Sequence, residues 1–317
     1  MVTGPPLLVL VGPTGVGKTA VAVRLAAHVS MEVVSADSRQ VYRGMDIGTG
    51  KPTPAERAAV THHLIDIVGP GERYHAARFR TDALAAIASI RERARLPVVV
   101  GGTGLYVRAL LRGLTPAPPA DPGLREELEG FAIAHGASAL HARLAAVAPA
   151  VASRLHPNDR VRIIRALEVH GSRGPAQHGG DAEGDWGARS GAWRLVMIGL
   201  GRARAPLNAA IAERARAMMA RGMMGEVERL LRAGYDPERP PMDGIGYRPL
   251  ALAARGWMAT EEALRLMIRD TTRYAKRQMT WFQREPEIRW LDVDEAGGIE
   301  GTAEAVLKHI TREGLIE

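Results

Sequence analysis

The sequence predicts an α/β fold: a parallel sheet with helices on both faces, carrying an inserted all-helical domain. Three observations lead there. A short apolar run, Leu7 to Val11, meets a glycine-rich loop and then an Ala- and Val-rich segment, residues 20–27. Strand-like and helix-like segments alternate up to about residue 115, which is the pattern of a parallel sheet covered on both faces. From 124 to 170 only helical segments follow, before the β-prone Trp193 to Leu200 restores the alternation. The implied domains are residues 1–115 with 193–317 as the α/β core, and residues 116–192 as the helical insertion.

The glycine loop is Gly12-Pro13-Thr14-Gly15-Val16-Gly17-Lys18-Thr19. The pattern G-x-x-x-x-G-K-[ST] between strand and helix is a phosphate-binding loop, so the core is expected to be P-loop NTPase-like. Its glycines let amide N–H groups converge on an anion. The helix N-terminus adds roughly half a positive charge. Lys18 supplies a full charge, and Thr19 a hydroxyl for hydrated Mg²⁺. The loop predicts a polyphosphate without saying whose.

Each further element has its own reason. Glu32 to Asp37 reads as a strand ending in a carboxylate, and Ser38 to Pro52 as a glycine-punctuated loop. His62 to Val68 reads as a short strand, Ala76 to Arg93 as an amphipathic helix, and Leu96 to Val100 as a buried strand running into Gly101-Gly102-Thr103-Gly104. Ligands of such sheets sit beyond the carboxyl ends of the strands. That puts the loop, Asp37 and Gly101 to Gly104 on one rim. Proline punctuation from Leu114 to Pro122 marks a domain boundary or hinge, and Gly171 to Gly191 an aperiodic loop. Beyond the returning strand come a long helix, Leu207 to Ala233, a turn-rich link, Pro240 to Tyr247, and helices over about 249–255 and 260–284.

Composition narrows the function. The 317 residues carry a formal net charge of +7, which favours a polyanionic partner, although the arginine-rich bias of the chain accounts for part of it. Cysteine is absent, so disulfides, thiolate zinc sites and cysteine nucleophiles are excluded. The first apolar run belongs to the phosphate loop, so no signal peptide or membrane span is expected, and a cytoplasmic protein is the default.

Asp37 has three readings: indirect Mg²⁺ ligand, general base beside the phosphates, or turn cap. Gly101 and Gly102 stand where a nucleotide hydrolase usually carries an Mg²⁺-binding Asp, which leaves a small-molecule kinase or another phosphate-leaving reaction open. Adjacent His62 and His63 point to opposite faces of a strand and are read as structural. On the last helix Arg269, Arg273, Lys276 and Arg277 cluster at helical spacing. That stripe suits either a nucleic-acid backbone or a solvated surface, with Trp281 and Phe282 packed inward or stacked on a base. Residues Pro157 to Arg165 form a second basic patch.

Taken in order, GPTGVGKT, Asp37-Ser38, VYRGMDIGTGKP, HHLIDI, PVVVGGTGLY, HPNDRVRIIRALEV, GIGYRP and RYAKRQMTWF resemble the bacterial tRNA dimethylallyltransferase family. The likeness runs from residue 12 to about 282. It implies transfer of the dimethylallyl group of dimethylallyl diphosphate to N6 of adenosine 37 in tRNA, with pyrophosphate leaving. By this resemblance Gly12 to Thr19 hold the diphosphate, Thr19 holds Mg²⁺ and Asp37 is the base. Arg214 reaches the diphosphate, with Arg221 as the reserve candidate. The tRNA side is implied to be Asp37, Ser38, Arg39, Gln40, Thr103, Arg125, Val161, Arg162, Ile163, Ile164, Arg165, Gly244, Ile245, Gly246, Tyr247, Arg248, Arg273, Lys276 and Arg277. The insert would clamp the anticodon stem-loop and the adenine would be extracted into a channel above the diphosphate. Pro249 departs from the family pattern, and the Gly171 to Gly191 loop is unusual in composition. A monomer is expected, and ATP binding would be an inference from fold alone.

Overall fold

The computed structural model describes residues 4–114, 118, 121–173 and 193–316. In chain order the elements are β1 (Pro6–Val11), α1 (Lys18–Ala26), β2 (Met31–Ser35), α2 (Pro54–Ala59), β3 (His62–His63), α3 (Ala76–Glu92), β4 (Leu96–Gly101) and α4 (Gly104–Arg112). Then come α5 (Pro122–Val147), α6 (Pro149–Ala152), α7 (Arg160–Arg173), β5 (Arg194–Gly201), α8 (Arg204–Ala220) and α9 (Met223–Arg232). The chain closes with α10 (Tyr247–Ala254), α11 (Thr260–Phe282), β6 (Arg289–Asp292) and α12 (Gly298–Arg312). Two compact units result: Met1–Leu111 with Gly191–Glu317, and Arg112–Ser190.

The first unit is built on a six-stranded, wholly parallel sheet in the order β3-β2-β4-β1-β5-β6. β1 lies inside it, pairing Leu8 with Val98 on one side and with Val196 on the other. Its side chains alternate between two cores, as the strand period requires. Leu8 and Leu10 join Val21, Leu25, Val306 and Ile310 under α1 and α12. Leu7 and Val9 join Phe79, Ile87, Leu110 and Phe282 under α3, α4 and α11. Helices thus cover both faces. Each buried Leu, Val or Phe removes enough apolar surface to contribute about 1.5–3 kcal/mol. A third core of Val41, Met45, Met218, Met223, Tyr247 and Met267 lies under the loop that follows β2.

Three expectations change. The strand expected over 62–68 stops after His63, because Leu64 (φ 62°) and Asp66 (φ 61°) turn left-handed. Asp66 is thereby drawn to Lys51 and Arg57. The helix expected over 207–233 is two helices, interrupted at Gly222 with φ 94°, a conformation glycine adopts without strain. β6 and α12 were not expected. His62 and His63 are structural: His62 Nδ1 lies 2.8 Å from the Val60 carbonyl and His63 Nε2 2.6 Å from the buried Glu32.

In the second unit α5 is broken at Gly136 (φ 85°, ψ 165°) and packs with α6 and α7 around Leu128, Leu140, Leu144, Ile163, Ile164 and Leu167. Asp121 caps α5, accepting from the amides of Gly123 and Leu124, which satisfies two otherwise orphaned helix donors. Most of the Gly171 to Gly191 loop and part of the proline hinge lie outside the described residues.

Candidate active site

The phosphate loop leaves the carboxyl end of β1 and becomes the first turn of α1, with Gly17 (φ 104°) at the N-cap. Val16 is buried and anchors the loop. Lys18 Nζ donates to the loop's own carbonyls, Gly12 at 2.9 Å and Pro13 at 2.8 Å. Burial lowers the Lys18 pKa to about 7, against a smaller opposing pull from Asp37. A partly buried ammonium whose hydrogen-bond partners among the described residues are carbonyls is a site that lacks an anion of its own. The loop therefore fits a diphosphate. Thr19 stands in the first turn of α1, partly exposed. Among the described residues no three His, Cys, Asp or Glu side chains gather to hold a metal. A hard cation would thus rely on the Thr19 hydroxyl, water and phosphate oxygens, a donor set suited to Mg²⁺.

Asp37 follows the end of β2, which is tied to β4 by the bond from the Ala36 amide to the Val100 carbonyl. One carboxylate oxygen, Oδ1, accepts from the amides of Arg39 (2.8 Å) and Gln40 (3.3 Å). That is the turn-cap role. Oδ2 accepts no hydrogen bond among the described residues. The negative charge is felt by Lys18 and Arg214, and also by Tyr106 and Tyr274. Tyr274 is pushed up to about 12, by burial first and by Asp37 second.

Arg214 projects from α8 toward the same loop, with Nη1 3.5 Å from Thr14 Oγ1. Burial lowers its pKa, with Asp37 opposing. Arg221 caps the end of α8 and is exposed. Of the two candidates, Arg214 is the one beside the loop.

The loop after β2 is woven into this rim. Ser38 donates its amide to Thr103 Oγ1 at 3.1 Å. Gln40 Oε1 accepts from the Ser35 hydroxyl while Nε2 donates to the Gly50 carbonyl. Arg39 donates to the Pro241 carbonyl at 3.0 Å and pairs with Asp243. Residues 37–40, Thr103 and the turn before α10 are thus brought together.

The family model described as IPP transferase matches residues 40–285, and that described as isopentenyl transferase matches residues 5–66. The chain belongs to the IPP transferase family. The tRNA dimethylallyltransferase of Desulforudis audaxviator is 45% identical over 314 residues, covering 99% of this chain and 100% of that one. That of Syntrophobacter fumaroxidans is 47% identical over 298 residues, covering 93% and 85%. The crystal structure of the Bacillus halodurans tRNA isopentenylpyrophosphate transferase shares 37% identity, 98% of each chain and a TM-score of 0.69. A eukaryotic dimethylallyltransferase solved while acting on tRNA shares 25% identity, 98% of this chain and 80% of that one, with a TM-score of 0.80.

In this IPP transferase the remaining expected residues divide by exposure. Arg273, Lys276 and Arg277 form an exposed face of α11. Arg269 is tied to its neighbour Asp270 at 2.8 Å. Trp281 and Phe282 pack inward, Trp281 against Gly104 and the Arg108 guanidinium. Gly244, Ile245 and Gly246 lead into α10, but the Tyr247 phenol is buried and donates to Glu226. Arg248 pairs with Glu238. In the helical unit Val161 is 79% exposed, whereas Ile163 and Ile164 are buried. Those two isoleucine side chains serve the unit's core, a correction to their expected part in the tRNA surface. Arg162 pairs with Asp159, while Arg125 and Arg165 both pair with Glu168.

Two polar residues that bridge segments around the site carry little signal in the sequence. Gln278, buried on α11, accepts from the Thr14 amide and donates to the Gly102 carbonyl, each at 2.8 Å. It bridges the phosphate loop to the end of β4. The only hint was its place inside a family word, RYAKRQMTWF. Glu226 is fully buried on α9 and had no signal beyond a charge on an amphipathic helix.

Proposed function

We propose that this chain transfers the dimethylallyl group of dimethylallyl diphosphate to N6 of adenosine 37 in tRNA, giving N6-dimethylallyladenosine and pyrophosphate. The observation that carries the reading is Lys18: a partly buried cation with no carboxylate partner among the described residues, beside Arg214 and within the field of Asp37. An exocyclic adenine amine is a weak nucleophile, because its lone pair is delocalised into the ring. The C–N bond forms at the allylic carbon as the C–O bond to the diphosphate breaks. The N6 proton passes to Asp37 Oδ2, the oxygen not engaged in the turn cap. Loop amides, Lys18 and Arg214 stabilise the negative charge that develops on the departing diphosphate. Mg²⁺, held by Thr19 and phosphate oxygens, supplies further charge neutralisation when bound.

For tRNA, the reading assigns residues 37–40, Thr103 and the Gly244–Arg248 turn to the reacting nucleotide's surroundings. Arg273, Lys276 and Arg277 take backbone phosphates of the anticodon stem-loop. In the helical unit the reading assigns Arg125, Val161, Arg162 and Arg165 to the tRNA surface. The enzyme is taken as a cytoplasmic monomer.

The test is incubation of the protein with unmodified tRNA, labelled dimethylallyl diphosphate and MgCl₂. Label is expected in RNA at a single adenosine. No incorporation, together with ATP-dependent phosphorylation of a small metabolite, would replace this reading with a P-loop kinase.

A further inference from the structure

A buried carboxylate that no step of the reaction uses lies behind the site. Glu226, on α9, is 0% exposed. Its Oε2 accepts from the amides of Asp46 and Ile47, both at 2.8 Å. Its Oε1 accepts from the Gly48 amide at 3.1 Å and the Tyr247 hydroxyl at 2.7 Å. Four donors converging on two oxygens is the environment of an ionised carboxyl. All four donors are neutral, and among the described residues no cation hydrogen-bonds the carboxylate. Burying a carboxylate in this way is unfavourable unless its acceptors are saturated, and an apolar residue would fill the space with less penalty.

What the arrangement gains is a fixed loop. The three amides belong to consecutive residues of the segment after β2. Two residues further on, the chain passes under Arg214: a Cβ at Gly50 would come within 1.7 Å of Arg214 Nη2. The Gly50 carbonyl also accepts from Gln40 Nε2, and the Gln40 amide donates to Asp37. Gly50 is therefore the floor of the Arg214 guanidinium on one side and an anchor of the Asp37 turn on the other.

We infer that Glu226 is a positioning residue for the transfer reaction, which sets Arg214 and the Asp37 turn against the phosphate loop through the segment from Asp46 to Gly50. It touches neither substrate. The inference rests on the function proposed above. A misplacement of about 1 Å at a charge-stabilising group can lower the rate on the order of 100-fold.

The test compares wild type, Glu226→Gln, Tyr247→Phe and Gly50→Ala below their thermal midpoints. Each is assayed for prenyl transfer, for inorganic pyrophosphate binding by calorimetry in MgCl₂, and for tRNA binding. Glu226→Gln turns an amide N–H₂ toward N–H donors. It should lower kcat/KM for the donor by about 10–100-fold and weaken pyrophosphate binding, with tRNA affinity within a few-fold. Tyr247→Phe removes one donor of four and should lower kcat/KM for the donor and pyrophosphate affinity in the same direction, more weakly. Gly50→Ala puts a Cβ against the guanidinium at a residue whose φ of +61° also strains any side chain, so it should reproduce the Glu226→Gln pattern; if Glu226→Gln does not fold, Tyr247→Phe decides the matter. In an Arg214→Ala background, either change should add little. Wild-type kinetics and pyrophosphate affinity in Glu226→Gln and Tyr247→Phe, or full multiplicativity with Arg214→Ala, would overturn the inference. If wild type itself transfers no prenyl group, the functional reading fails. Pyrophosphate binding across the variants then still judges the positioning role.

Discussion

The proposed reaction gives the Asp37 carboxylate two tasks, and substitution can separate them. Oδ1 caps the turn to Arg39 and Gln40, while the proposal gives Oδ2 the substrate proton. Asp37→Asn keeps a carbonyl for the cap and removes the base. It should cut single-turnover prenyl transfer by about 10²–10⁴-fold while tRNA affinity, read by filter binding, stays within a few-fold. Equal loss of rate and affinity would make Asp37 a binding residue. Lys18 yields a prediction from its pKa, about 7 against an ordinary 10.5, lowered first by burial. The unfolded chain then holds a proton that the folded chain sheds. Lys18 weighs fully against folding below pH 7, and the penalty is relieved as pH rises from 7 toward 10.5. A bound diphosphate restores the ammonium. At pH 8, pyrophosphate binding should take up roughly one proton, visible as heats that differ between buffers of different ionisation enthalpy. In Lys18→Ala the dependence should vanish; if it persists, another group titrates. The motif made Lys18 and Thr19 legible because its spacing is specific. Glu226 and Gln278 were hidden because each works across a long gap in the chain, and one polar residue on a helix carries no period.

The helix α11 shows how far periodicity carries. Its i, i+4, i+7, i+8 spacing places Arg269, Arg273, Lys276 and Arg277 on one side, as the sequence implies. Only the coordinates reveal that Asp270 holds Arg269 and leaves Arg273 a longer contact of 3.6 Å. Its opposite side reaches the phosphate loop through Gln278. Alanine at Arg273, Lys276 and Arg277 together should flatten the slope of log K against log salt for tRNA by about 2–3. Arg269→Ala should change it less. An unchanged slope in the triple variant would return this face to ordinary solvated surface. The elements missed have physical reasons. β6 is four residues long at a sheet edge, too short to display alternation. The break between α8 and α9 is a single glycine inside an otherwise helical pattern, which sequence alone tolerates.

On the scale of the molecule, Glu32 ties β2 to β3 and to the turn between α3 and β4 at the far rim of the sheet. This buried residue of β2 is held by Arg93, Arg95 and His63. The hydrogen bond from Arg93, aided by His63, lowers its pKa to about 2 despite burial. The folded value lies below the ordinary 4.5, so the cluster's contribution is present above that pH and is lost as pH falls toward 2. Urea midpoints should therefore decline over this window, and Glu32→Gln should flatten the decline; a parallel curve would assign the acid sensitivity elsewhere. The strand–helix alternation foretold the parallel sheet, and prolines marked the change of composition near 116. The compact units divide at Arg112 and Gly191. Strand order was not legible, because β1 finds its two neighbours in segments far apart along the chain. β4 pairs with it on one edge and β5, from beyond the helical unit, on the other. That order has a consequence for biosynthesis. A ribosome delivers β1, β2 and β4 early, yet the last neighbour of β1 emerges only after all of the intervening helices. Until then the nascent Leu7 to Leu10 ribbon has a bare apolar edge, so messages truncated upstream of residue 194 should yield aggregates rather than a smaller soluble enzyme.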